Sequence, residues 1–229
     1  MVRLVLFDVD GTLIRTGGAG VEAFGRTMAS LFNCPDGTER MKFAGRTDVS
    51  LVRELFRLNR IDPTADNFQR FFDGYPFWLD HLLEHCQGGV CRGARELLEG
   101  FRALPQPPVV GLLTGNIRLG AELKLRRFGL WDYFETGAFA DDGEDRDRIA
   151  TVAKRRGSQG VGGHLRGDQI VVVGDTAHDI QCGRSIGAKV LAVATGGASM
   201  EQLRPHQPDR LVEDLLQITA AEVCGVAGS

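Results

Sequence analysis

The sequence lacks what would tie the protein to a membrane, a nucleic acid or a disulfide framework. No apolar run comes near the roughly 18 to 20 residues that span a bilayer; stretches such as Val109 to Leu113 are far shorter. The run Leu4 to Phe7 reaches Asp8 too soon to be the apolar region of a secretory signal. There is no basic excess: Lys and Arg number 27 against 30 Asp and Glu, a formal charge of -3, which disfavours phosphate backbones and anionic lipid as partners. The five cysteines, Cys34, Cys86, Cys91, Cys182 and Cys224, are odd in number and form no CxxC pair, which argues against both a disulfide framework and a thiolate zinc site. Compositional bias is absent too, since 43% hydrophobic and 25% charged residues in a chain of 229 are ordinary for a folded domain. The expectation is a cytoplasmic protein, monomeric or homodimeric, that takes neither nucleic acid nor membrane as its partner.

What is present is an alternation of short apolar runs with helical stretches. Leu4 to Phe7, Val109 to Leu113, Ile170 to Val173 and Val190 to Val193 read as strands, and Gly93 to Leu104, Leu119 to Phe128 and Arg146 to Arg156 as helices. Continuous apolar strands separated by helices mark a parallel sheet covered on both faces, so the pattern predicts a doubly wound α/β core. The interval between Phe7 and Val109 is too long for one crossover and must hold an insert. Within it Val21 to Phe32, Asp48 to Leu58, with Asp48 as N-cap, and Ala65 to Leu83 read as helices. The domain reading is therefore a core of residues 1–16 and 86–229 and a helical cap of residues 17–85. Phe68, Phe71, Phe72, Tyr75, Phe77 and Trp78 fall at helical spacing and read as the core of that cap. Gly157 to Gly167 reads as a surface loop.

Acidic residues gather where strands end. Asp8 and Asp10 leave the first strand, followed by Gly11 and Thr12; Thr114-Gly115-Asn116 ends the Val109 strand; Gly174-Asp175 ends the Ile170 strand, with Asp179 shortly after. One Asp after a strand is explained by a turn or a helix cap. Three strand ends so equipped, at the edge where open α/β sheets bind ligands, call for a common cause. An Asp kept ionised by a cation can attack phosphorus, a second carboxyl can protonate the departing alkoxide, and Mg²⁺ suits a site of few carboxylates because it keeps several waters.

In this order, Asp8-Val9-Asp10-Gly11-Thr12, Thr114-Gly115-Asn116 and Gly174-Asp175-Thr176-Ala177-His178-Asp179 resemble the first, second and fourth motifs of the haloacid dehalogenase superfamily. The insert sits where phosphoglycolate phosphatase-like members carry a helical cap. The resemblance implies a Rossmann-like core and a Mg²⁺-dependent phosphatase that hydrolyses a small phosphorylated metabolite through an aspartyl-phosphate. It implies Asp8 as nucleophile, Asp10 as acid and base, and the Thr114 hydroxyl with the Gly115 and Asn116 N–H groups as phosphate donors. It assigns Mg²⁺ to the Asp8 carboxylate, the Asp10 main-chain carbonyl and Asp175, with Asp179 in the outer shell. The family gives His178 no role, and it reads as a solvated loop residue. Phe43, Arg46 and Thr47 lie in the cap loop where such members meet the leaving group, so Arg46 is a candidate for a substrate carboxylate or phosphate.

The third motif departs from the family, which places a Lys followed by Pro before the next helix. The stretch Asp141 to Arg148 holds no Lys; by position Arg146 is the candidate cation, with Arg148 and Lys124 as alternatives. Other activities of the superfamily fit less well. A dehalogenase lacks the second acid, which Asp10 supplies; a phosphonate hydrolase needs a cap Lys, and Lys42 is the one available; a phosphomutase would carry a His where Gly17, Gly18 and Gly20 stand. A non-catalytic binding protein would have lost a motif acid.

Overall fold

A computed structural model describes residues 1–39 and 41–225. Among these residues six strands form one parallel sheet in the order β5-β4-β1-β6-β7-β8. They are β1 (Leu4–Phe7), β4 (Val109–Leu113), β5 (Thr136–Ala138), β6 (Ile170–Gly174), β7 (Lys189–Val193) and β8 (Arg210–Val212). β1 is apolar and buried at every position because it lies mid-sheet with helices on both faces. Alternate residues serve opposite faces. Val5 and Phe7 join a cluster with Leu97, Leu98 and Phe101 of α4 (Ala94–Arg102) and Leu125 of α5 (Arg118–Arg127). Leu4 and Leu6 pack with Ile149 and Ala153 of α6 (Arg146–Gly160) and Cys182 of α7 (Ala177–Ser185). Two short helices, α8 (Met200–Leu203) and α9 (Ala220–Cys224), complete the covering.

The strand order reverses at β1. The chain runs to β4 and β5 on one side, then returns to β6, β7 and β8 on the other, so the carboxyl ends of β4, β1 and β6 lie side by side, with Phe7 paired to both Leu112 and Val173. Between β1 and β4 the chain leaves through β2 (Ile14–Arg15) and comes back through β3 (Gly89–Val90), which pair antiparallel. That ribbon delimits α1 (Ala19–Phe32), α2 (Asp48–Leu58) and α3 (Ala65–Leu83). These helices share a core of Phe24, Met28, Phe56, Phe71, Tyr75 and Leu79, with the Phe24 ring 4.7 Å from Tyr75 and 5.1 Å from Phe71. α3 runs through Pro76; a proline inside a helix costs about 3 kcal/mol, and the burial of Phe71, Tyr75, Leu79 and Leu83 on one face offsets it. Phe77, by contrast, points to solvent at 68% exposure and takes no part in the core expected for the aromatic run.

Other expectations are corrected. Thr47, not Asp48, caps α2, its hydroxyl accepting from the Ser50 N–H. The Gly157 to Gly167 stretch is not all loop: residues 157–160 are the last turn of α6, and Gly157 lies against Leu4, where a Cβ would come within 2.3 Å of Leu4 Cδ2. His178 belongs to the first turn of α7 rather than a loop, though it is exposed as expected. β5 and β8 went unread because Thr136-Gly137-Ala138 and Arg210-Leu211-Val212 are too short and mixed to give a strand signal. The cysteines are free, and Cys91, Cys182 and Cys224 are buried. No helix among the described residues is long and apolar enough to cross a membrane.

Candidate active site

The reversal of strand order brings three carboxylates together. One oxygen each of Asp8, from the end of β1, Asp175, from the end of β6, and Asp179, in the first turn of α7, lie within 4.8 Å of one another, all three buried. Such crowding disfavours ionisation. Burial foremost, then the charge of Asp179, pushes the Asp8 carboxyl up to about 7; burial, then Asp179 and Asp8, pushes Asp175 up to about 8. Thr12 donates to Asp175 Oδ1 at 3.0 Å and fixes that carboxylate. Gly11 has φ +86, and a Cβ there would meet Asp175 Oδ2 at 2.5 Å, so the Gly of the first motif is required both by its left-handed backbone and by the carboxylate pressed against it. Asp179 is already committed. Its Oδ2 accepts from the Thr176 N–H at 2.9 Å and from the Thr176 hydroxyl at 2.6 Å, closing a capping box at the start of α7, while its Oδ1 takes Arg146. The cluster is all hard oxygen and short of positive charge, the donor set Mg²⁺ prefers.

Two buried cations enter the site from different elements. Arg146, at the start of α6, pairs with Asp179 through Nη2, which also stands 3.8 Å from Asp8 Oδ1. Burial works against its charge, but Asp179 and Asp8 outweigh that and push its ionisation upward. Its Nε is buried without a hydrogen-bond partner. Lys124 of α5 is 4% exposed and reaches Asp10 at 2.7 and 2.9 Å and Asn116 Oδ1 at 2.6 Å. Arg148, the other alternative for the missing motif lysine, is exposed and outside the site.

The Thr114-Gly115-Asn116 turn supplies further donors. Asn116 Nδ2 donates to Asp10 Oδ2 and to Thr114 Oγ1, both at 2.8 Å, so Asp10 is held by Lys124 and Asn116 together. The Asn116 main-chain N–H, expected to face phosphate, instead donates to Thr114 Oγ1 at 3.3 Å. The helical insert docks on this turn: the Asp48 N–H donates to the Gly115 carbonyl at 2.7 Å, and Asp48 Oδ2 accepts from the Ile117 N–H at 2.7 Å. Ile117 offers α5 no side-chain cap; Asp48 takes the Ile117 N–H and Asp141 Oδ2 takes the Arg118 N–H at 2.6 Å, so two carboxylates from other segments serve the start of α5. Burial foremost raises the Asp48 carboxyl to about 7, against the pull of Lys124. Arg46 lies at the cavity, but its guanidinium is engaged by Glu54 and by the Ser50 carbonyl at 3.2 Å, so the expected substrate arginine is occupied within its own segment.

A cavity of about 560 Å³ spans the junction, with Asp8, Asp10, Thr114, Asn116, Lys124, Arg146 and Asp175 below and Phe24, Phe43, Leu51 and Tyr75 above. Sequence reasoning missed Thr12 as the anchor of Asp175, Asp48 as the docking carboxylate and Tyr75 as a cavity residue. For Thr12 the motif was in view without a role; for Asp48 no local signal exists; for Tyr75 the aromatic run suits a pocket wall as well as a cap core, and helical spacing favours the core.

A parallel α/β sheet whose reversal point carries a buried carboxylate cluster, two cations and a cavity defines a ligand-processing enzyme site. The chain belongs to the haloacid dehalogenase-like hydrolase family, whose profile matches residues 5–193; it is a hydrolase of that fold. It is 26% identical over 228 residues to the pyrophosphatase PpaX of Halalkalibacterium halodurans, covering 96% of this chain and 98% of that protein. A predicted phosphoglycolate phosphatase from Haemophilus somnus superposes with a TM-score of 0.72 at 18% identity, covering 97% and 96% of the two chains. CbbY from Rhodobacter sphaeroides in complex with phosphate gives 0.73 at 16%, covering 94% and 95%. At such identities the structural likenesses speak for the fold.

Proposed function

We propose that the protein is a Mg²⁺-dependent phosphatase that hydrolyses a small phosphate monoester, in the cytoplasm, through an aspartyl-phosphate on Asp8. The observation that carries this reading is the buried Asp8, Asp175 and Asp179 cluster with Arg146 laid against it. The names of a relative called a pyrophosphatase and of a structural neighbour called a phosphoglycolate phosphatase support phosphoryl chemistry.

An Asp8 carboxylate oxygen attacks phosphorus and the bond from phosphorus to the ester oxygen breaks. Asp10 gives the departing alkoxide a proton. A water then attacks the phosphoaspartate, Asp10 takes its proton, and Asp8 returns as inorganic phosphate leaves. Lys124 and Asn116 hold Asp10 in place through both steps. Thr114, the Gly115 N–H and the Arg146 guanidinium supply donors to the phosphoryl oxygens. Arg146 thus stands for the lysine of the third motif. Mg²⁺ would be held by the Asp8 carboxylate, the Asp10 main-chain carbonyl and Asp175, with Asp179 behind, and supplies charge neutralisation to the transferring group. Residues 17–85 act as a cap on a core of residues 1–16 and 86–229, closing the cavity against bulk water. Phosphonate hydrolysis finds no support, because Lys42 is exposed and does not line the cavity.

The test is hydrolysis of 4-nitrophenyl phosphate by the purified protein with Mg²⁺ and with a chelator. Turnover that needs the metal and disappears in Asp8→Asn is expected; turnover no higher than that of Asp8→Asn overturns the reading.

A further inference from the structure

The cations that line the cavity are committed. Lys124 spends its donors on Asp10 and Asn116, Arg46 pairs with Glu54 and Ser50, and Arg15 donates to the Thr195 carbonyl at 2.7 Å. Arg146 bridges Asp179 and the Gly45 carbonyl through its two terminal nitrogens, and its Nε is buried. On the helical side the side chains that line it are chiefly Val21, Phe24, Phe43, Leu51 and Tyr75, beside Gly17, Gly18 and Gly20, the paired Arg46 and the acidic Asp48. Tyr75 is 1% exposed, its hydroxyl has no hydrogen-bond partner among the described residues, and the sliver that remains accessible faces the cavity. A second anionic group on the substrate would meet rings, an aliphatic wall and a carboxyl there, with no free cation among the described residues to replace its water.

Building on the phosphatase reading, we propose that the leaving group is an uncharged, largely apolar alcohol of ring size, carrying one hydrogen-bonding group for the Tyr75 hydroxyl. Phosphate esters with a further anionic group, such as 2-phosphoglycolate or a sugar bisphosphate, and pyrophosphate are then poor substrates. A hydroxyl at the cavity wall with no partner among the described residues discriminates well, since a substrate lacking its partner leaves it unpaired.

The experiment compares kcat/KM of the Mg²⁺-supplied protein for 2-(4-hydroxyphenyl)ethyl phosphate, 2-phenylethyl phosphate, 2-phosphoglycolate and pyrophosphate. Intrinsic reactivity favours pyrophosphate, so a preference against it reports the cavity. The hydroxyphenyl ester is expected to exceed both anionic compounds by at least about tenfold. In Tyr75→Phe its advantage over the phenyl ester should shrink about fivefold, through KM rather than kcat. A kcat/KM for phosphoglycolate or pyrophosphate equal to or above that of the aryl alkyl esters overturns the proposal, and an unchanged ratio in Tyr75→Phe overturns the part given to the hydroxyl. The outcomes separate the two readings. If 4-nitrophenyl phosphate is hydrolysed and the anionic compounds win, this inference alone fails; if nothing is hydrolysed, the phosphatase reading fails and takes it along.

Discussion

On the floor of the cavity, Asp8, Asp175 and Asp179 stand within 4.8 Å of one another and nearly every polar atom has a named partner on a strand end or a helix start. In the roof, Phe24, Phe56, Phe71 and Tyr75 meet ring to ring, and the Tyr75 hydroxyl has no hydrogen-bond partner among the described residues. The floor stores electrostatic tension, with buried anions pushed toward protonation and held by cations. The roof stores only packing. A floor substitution therefore changes chemistry first and a roof substitution changes stability or selectivity first, and the contrast can be broken or sharpened one residue at a time.

The largest effect is expected from Asp8→Asn, which removes the proposed nucleophile at almost constant volume. Turnover should fall by more than about a thousandfold. The metal-free variant should also melt above the wild type, because a buried anion raised to about 7 by burial and by Asp179 is gone. Activity within tenfold of wild type, with unchanged circular dichroism, would remove Asp8 from the mechanism.

In the roof, Phe71→Ala should cost about 3–5 kcal/mol in denaturant unfolding, the range for a fully buried ring whose neighbours cannot collapse onto the gap. Phe71 is 0% exposed among five aromatic partners. A loss below about 1 kcal/mol would show that the helical layer is loosely packed and would erase the contrast.

Arg146→Ala comes next, with a loss of about 2 kcal/mol in transition-state stabilisation, a fall of about thirtyfold in kcat/KM. Arg148→Ala is the control. Should Arg148→Ala or Lys124→Ala collapse while Arg146→Ala stays active, the motif cation lies elsewhere than proposed.

The smallest effect concerns the seam between floor and roof. Asp48 sits at about 7 in the folded protein against an ordinary 3.8. The stability its protonated form lends is thus complete below about pH 4 and is lost as pH rises through about 7. Asp48→Asn keeps an acceptor for the Ile117 N–H without the charge, so its melting temperature should fall less than the wild type's between pH 5 and pH 8. Parallel melting curves for the two proteins would place the titration elsewhere.

Much of the floor was legible in the sequence because each motif sits at the end of an apolar strand, and strand periodicity with its Gly turn fixes which residues emerge there. Thr114, Gly115, Asn116, Asp175 and Asp179 lie with Asp8 and Asp10 around one cavity or its wall. The cations were harder. Arg146 and Lys124 were both named, but nothing local says that one lies on Asp179 and the other on Asp10, because those partners come from elements far apart in the chain. Arg46 was read as facing substrate because Glu54, nearly two helical turns into α2, was not seen to claim its guanidinium.

By itself the sequence determined the parallel sheet, the helical insert between β1 and β4, and the acidic strand ends, since these follow from periodicity, interval length and turn chemistry within a few residues of each position. Only the tertiary structure decided how charges pair and what the roof presents. Asp48 reaches the start of α5, Thr12 holds Asp175, and the Tyr75 hydroxyl beside the cavity has no partner among the described residues. Those outcomes depend on distances between segments that no local pattern encodes, and a buried polar group takes its character from whichever neighbour the fold brings within about 3 Å.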